Sequence, residues 1–172
     1  MPVHQIILIT PGEAVGGVAA NDQSPLSDKG LDQASVLKKI LGMKFDLLIH
    51  SRTVAAYQTS LAIAEFDVHT HPKADLTDPL TELNWTGTPE QDVPILIVHK
   101  GYEALMKLIR ESRARSILVV LPTPFLRQIA LMIAPFEDHI LFRDTILKPC
   151  EGFKLKSVNG YPFIARAISL GS

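Results

Sequence analysis

Residues 116–124 read Ser-Ile-Leu-Val-Val-Leu-Pro-Thr-Pro (SILVVLPTP), and this stretch decides the fold class. Ser116–Leu121 is a short, nearly continuous apolar run rich in branched side chains. It lacks the polar alternation of a half-solvated strand, so it reads as a strand buried on both faces, the habit of a parallel sheet covered by helices. Thr123 and Pro124 then read as a helix N-cap and a first-turn proline. Phe125, Ile129, Met132 and Ile133 mark that helix, and Pro135 is expected to stop it.

The same unit recurs outward from this point. Ile6-Ile7-Leu8-Ile9 is a second buried run, ended by Pro11-Gly12, with a loop rich in Gly, Ala, Asn and Ser up to Pro25. Ser27 suits an N-cap; Leu31, Ala34, Leu37 and Leu41 are expected on one face of the helix it opens, and Gly42 suits the end. Phe45–His50 reads as another strand. The helix after it begins near Thr53, with Val54, Tyr57, Leu61 and Ala64 expected on one face. Val68–His71 reads as a short strand, and the proline-rich stretch from Pro72 to Pro94 as a long irregular loop. Tyr102, Leu105, Met106 and Ile109 mark one more helix. Near the C-terminus, Asn159-Gly160 sits between two strand-like runs, a hairpin signal. Strand–helix repetition closed by a hairpin predicts a mostly parallel sheet with helices on both faces and one antiparallel strand. The ligand cleft of such a sheet lies at the carboxyl ends of its strands. Here those ends are Thr10–Glu13, His50–Arg52 and Leu121–Pro124.

Composition narrows the classes of function. The chain has 172 residues, 47% hydrophobic and 20% charged, which predicts a single domain over 1–172. A net charge of −1 gives no basic field for nucleic acid, so none is expected as a partner. Cys150 is the one cysteine, so no disulfide forms within the chain. MPVHQIILITPG reads as a first strand rather than a signal peptide, and no apolar stretch is long enough to span a bilayer. A cytoplasmic location and no membrane partner are expected. There is no P-loop, dinucleotide fingerprint or G-x-S-x-G, and no cofactor is expected.

Five segments in register carry a resemblance: IILITPGEA (6–14), PLSDKGLDQA (25–34), FDLLIHSRTVAAYQT (45–59), TELNWTG (81–87) and ILVVLPTPFLRQIA (117–130). Together they resemble the histidine phosphatase superfamily, the phosphoglycerate-mutase-like fold. That implies a three-layer α/β/α sandwich. Family members read R-H-G-E after the first strand, R-A-x-Q-T in the second helix and S-H-G-G after the central strand. The implied chemistry is attack of a histidine on phosphorus, with two arginines and a second histidine holding the phosphoryl oxygens and a carboxylic acid protonating the leaving group.

Carried over position by position, most of those groups are missing. The first arginine falls on Thr10, the nucleophile on Pro11, the second arginine on Ala55 and the second histidine on Pro122. Gly12 and Glu13 remain, and Glu82 resembles the acid. The resemblance implies a cleft lined by Thr10, Pro11, Gly12, Glu13, Ser51, Arg52, Ala55, Glu82, Pro122 and Thr123, with no intact catalytic residue and Glu82 as a residual acid at most. The first-turn N–H groups near Thr53 and Thr123 are the anchors left for an anion.

Blander readings stand beside these. Pro11 and Pro122 also fit ordinary loops at strand ends. Glu82, His50 and Arg52 also fit solvated surface positions. His69 and His71 share a strand face but have no third ligand in view, so no metal is expected. Arg127 reads as structural, Cys150 as a small buried residue, and Trp85 as a cap on the core. The reading is a catalytically inactive histidine-phosphatase-like protein that binds a small molecule or a protein partner through the former phosphate cleft. Three alternatives stay open: a phosphomonoesterase with a rearranged site recruiting His50 or His99, a metal-dependent or other hydrolase, and a structural or homo-oligomerising domain.

Overall fold

The computed structural model describes residues 4–64, 95–134, 147–158 and 161–170. Within them lie β1 (His4–Ile9), α1 (Asp28–Leu41), β2 (Leu47–His50), α2 (Val54–Ala64), α3 (Ile95–Glu111), β3 (Ser116–Val120), α4 (Thr123–Ile133), β4 (Gly152–Val158) and β5 (Tyr161–Ile168). The strands form a sheet of order β2-β3-β1-β4-β5. β1 and β2 run parallel to β3, and β4 runs antiparallel to both β1 and β5. This is the mostly parallel sheet with one antiparallel strand. The expected strand at 68–71, the loop at 72–94, Pro135 and the Asn159-Gly160 turn lie outside the described residues.

Alternation along the buried strands builds two cores, one on each sheet face. Ile6, Leu8, Ile117, Val119 and Leu121 pack under α3 and α4, against Leu105, Ile109, Phe125 and Ile129. Ile7, Ile9, Leu118 and Val120 pack under α1 and α2, against Ala34, Leu37, Ala56 and Ile63. The β1 run Ile6–Ile9 is wholly buried, as a strand covered on both faces must be. The result is a three-layer α/β/α sandwich.

Local signals act where expected at α1. Ser27 caps it by accepting from the Gly30 N–H at 3.0 Å, and Gly42 ends it in the left-handed region at φ 55°. Other expectations are corrected. Leu31 is 46% exposed and Gly30 takes the buried slot, because the Glu13 backbone lies against the Gly30 Cα. On α2 the buried face is Ala55, Ala56, Thr59, Ser60 and Ile63, while Val54, Leu61 and Ala64 are half-buried and Tyr57 is exposed. Small residues let that helix approach both α1 and the sheet, and nearly every position on it is apolar or small, so the pattern has no strong direction. At α4 the N-cap is Pro122, not Thr123, and it offers no side-chain cap.

Candidate functional site

The carboxyl ends of β1 and β3 and the amino ends of α2 and α4 frame a pocket of about 360 Å³. That is within the range of small-molecule sites, ~300–1,000 Å³. Pro11, Gly12, Glu13, Ala55, Pro122 and Thr123 line it, so three of the four positions that the resemblance assigns to catalytic groups converge on one cavity. Among the described residues its wall also includes Ala14, Gly17, Ala20, Asn21 and Asp22 from the loop after β1, together with Thr53 and Pro149. No local sequence pattern marks this wall as part of the cleft, although the loop's Gly/Ala/Asn composition is that of chain folding closely back on itself.

Three residues expected in the lining are placed elsewhere. Thr10 is 1% exposed and faces the wall: its hydroxyl donates to the Lys148 carbonyl at 2.8 Å and its N–H to the Glu151 carbonyl at 2.9 Å. Ser51 is buried, its hydroxyl 3.2 Å from that of Thr53. Arg52 is exposed and outside the pocket. A side chain at the end of a pleated strand faces alternately in and out, so neighbours in sequence cannot all reach one cleft. Glu82, His69, His71 and Trp85 lie outside the described residues.

Four residues of the segments that carry the resemblance, Ser27, Gln33, Gln58 and Thr59, hold the cleft rather than face it. Thr59 Oγ1 accepts from the Gly12 N–H at 3.0 Å and donates to the Ala55 carbonyl at 2.6 Å. Gln33 Oε1 accepts from the Glu13 N–H at 2.9 Å, and Gln58 Oε1 from the Leu26 N–H at 2.8 Å. Ser27 closes the loop by donating from both its N–H and its hydroxyl to the Glu13 carbonyl. These bonds fix the path from Gly12 to Ser27, the main wall of the pocket.

The described lining carries no positive charge to attract an oxyanion. Among the described residues the lining holds two carboxylates, Glu13 and Asp22, and no lysine, arginine or histidine. Glu13 is partly neutralised by Lys29, whose Nζ is 3.3 Å away on the surface. At the helix termini some of the first-turn donors are already used. The Val54 N–H donates to the Asp22 carbonyl, the Ala56 N–H to Thr53 Oγ1, and Pro124 has no N–H.

Other reactive groups stand apart from the cavity. His50 Nδ1 is 2.7 Å from the Ser51 carbonyl, which can only accept, so Nδ1 carries the proton. The ring leans on Tyr57 with centroids 5.2 Å apart. His99 is exposed on α3. Arg127 is half-buried on α4, outside the pocket lining. Cys150 is fully buried, and burial pushes its thiol up to about 12, which favours the protonated form near neutral pH. Among the described residues no group of three or more His, Cys, Asp or Glu could hold a metal ion, and no helix is long and apolar enough to cross a membrane.

By sequence, the chain matches no family model and no curated protein. By structure it is similar to the protein histidine phosphatase SixA, solved with tungstate, at 18% identity and a TM-score of 0.66, over 96% of this chain and 97% of that one. It is similar to a mutant phosphoserine phosphatase from Entamoeba histolytica, solved with phosphoserine, at 16% identity and a TM-score of 0.68, over 97% and 98% of the two chains. It is also similar to a phosphoglycerate mutase from Bacillus anthracis at 14% identity and a TM-score of 0.64, over 97% and 93%. The fold is thus the one these phosphatases and mutases share.

Proposed function

We propose that the chain is a catalytically inactive relative of the histidine phosphatases and phosphoglycerate mutases, and that the former phosphate cleft binds a small molecule or a protein partner. The observation that carries this reading is the convergence of Pro11, Ala55 and Pro122 on one pocket in which no described side chain is cationic. Proline and alanine carry no nucleophile, no transferable proton and no charge. Removing a single oxyanion donor costs about 3–4 kcal/mol of transition-state stabilisation. Here the nucleophile and its clamp are absent together. Such losses do not add, but without a nucleophile the covalent route is closed.

The cavity itself is built. Gly12, Glu13 and Leu26 are held by Thr59, Gln33 and Gln58, which favours a retained binding role over a purely structural one. Two measurements test the reading. Turnover of p-nitrophenyl phosphate is expected to stay at background, and tungstate, as a phosphate analogue, is expected to leave the melting temperature unchanged. Turnover above background that is lost in His50→Ala or His99→Ala would establish the rearranged phosphomonoesterase instead.

A further inference from the structure

We infer that the open flank of the sheet formed by β4 and β5 is a docking surface for an acidic face of a partner protein. Cross-strand register fixes which side chains share that flank. Lys156 pairs with Phe163, and Lys154 with Arg166, while β1 continues the row with Gln5 opposite Lys156. Cross-strand partners project to the same side. Ile164 packs into the α3/α4 core and Ile168 into the α1/α2 core, so Tyr161, Phe163 and Arg166 face the α1/α2 side. On this side α1 and α2 pack over Ile7, Ile9, Leu118 and Val120 and meet β5 at Ile168, while the contacts of α4 with β5 lie on the opposite face with Ile164. Tyr161 is 78% exposed and Phe163 44%.

Charge decides the partner's chemistry. From Gly152 to Ser172 the sequence holds Lys154, Lys156 and Arg166 and no aspartate or glutamate. Among the described residues none of the three cations forms an ion pair. Lys154 and Arg166 stand directly opposite, an arrangement that costs stability unless an anion lies between them. Exposed aromatic side chains beside an arginine are the residues that anchor protein interfaces. A single-stranded nucleic acid would also use rings and cations. Three phosphate contacts give a salt slope of only about −2, and the chain carries no wider basic field (net charge −1). Docking by strand addition at the edge is disfavoured by Pro162 and by the bulge that shifts the register between Lys154 and Leu155. The occupant therefore lies on the face.

The test uses the full chain and three fluorescent probes read by anisotropy at low salt: a peptide of alternating Glu and Leu, its Gln/Leu counterpart, and oligothymidylate. The Glu/Leu peptide is expected to bind at least ten-fold more tightly than the other two. Its binding should weaken about ten-fold in Lys154→Glu/Arg166→Glu and likewise in Phe163→Ser, while melting curves confirm the fold. A milder Lys156→Gln variant should lose a smaller part. Equal binding of the Gln/Leu peptide, absence of binding, preference for oligothymidylate, or indifference to all of these variants would overturn the proposal. None of these residues lines the pocket, so its failure leaves the reading of the cleft untouched.

Discussion

The Thr59 hydroxyl is buried between two backbone groups, accepting from the Gly12 N–H and donating to the Ala55 carbonyl. Thr59→Val keeps the shape and removes both bonds, which leaves the Gly12 N–H buried without a partner. An orphaned buried donor costs about 1–3 kcal/mol. We expect chemical denaturation of Thr59→Val to show a loss of that size. Thr59→Ser, which keeps the oxygen, should retain most of the stability. An unchanged midpoint in Thr59→Val would show that the wall of the cleft does not depend on this bond. The contrast with Pro11, Ala55 and Pro122 is physical. Thr59, Gln33 and Gln58 bond to the chain itself, so their role survives without a phosphate, while groups that would face one have nothing in the fold to hold them in place.

At the scale of elements, the legibility of the sequence followed the strength of the local signal. The buried runs of β1 and β3 and the Ser27 and Gly42 caps of α1 were readable because each acts within a few residues of itself. Two things were not. The buried face of α2 was hidden by its near-uniform apolarity. Periodicity puts Leu31 on the face of Ala34 and Leu37 because it is blind to Gly30, whose missing side chain lets the Glu13 loop approach. The pocket wall from Ala14 to Asp22 was hidden for a related reason: a loop's path depends on remote partners such as Gln33 and Gln58. That close approach makes a prediction about α1. Within a helix, glycine to alanine is worth about 1 kcal/mol in its favour. At Gly30 the added methyl would overlap the Glu13 carbonyl oxygen, which is backbone and cannot swing away. Overpacking of this kind costs about 1–3 kcal/mol, so Gly30→Ala is expected to lower the melting temperature. A rise would mean the Gly12–Ser27 loop is free to retreat.

At the scale of the whole molecule, the proposed inactivity is tested by placing the family's groups at the four positions. Restoring the family's groups means Thr10→Arg, Pro11→His, Ala55→Arg and Pro122→His together. The pocket is present and α2 and α4 begin at its rim, so the naive expectation is turnover. The structure argues otherwise at Thr10. Its side chain is buried and turned to the 148–151 turn, where it meets backbone carbonyls and not the cavity. An arginine there would bury a guanidinium in a turn whose carboxylate, Glu151, already accepts from the Lys148 N–H and the Ser169 hydroxyl, and an incompletely compensated buried charge costs several kcal/mol. Pro122 is the N-cap of α4, and the Pro11 carbonyl accepts from the Cys150 N–H, so both backbones are engaged in the fold itself. The quadruple variant is expected to be less stable than the parent and to turn over p-nitrophenyl phosphate no faster than buffer. The triple variant that leaves Thr10 alone should recover the stability and still lack turnover, because one guanidinium beside Glu13 and Asp22 does not make a clamp. Full turnover in the quadruple variant would mean that the backbone still holds the geometry of a working site, and that only its side chains were lost.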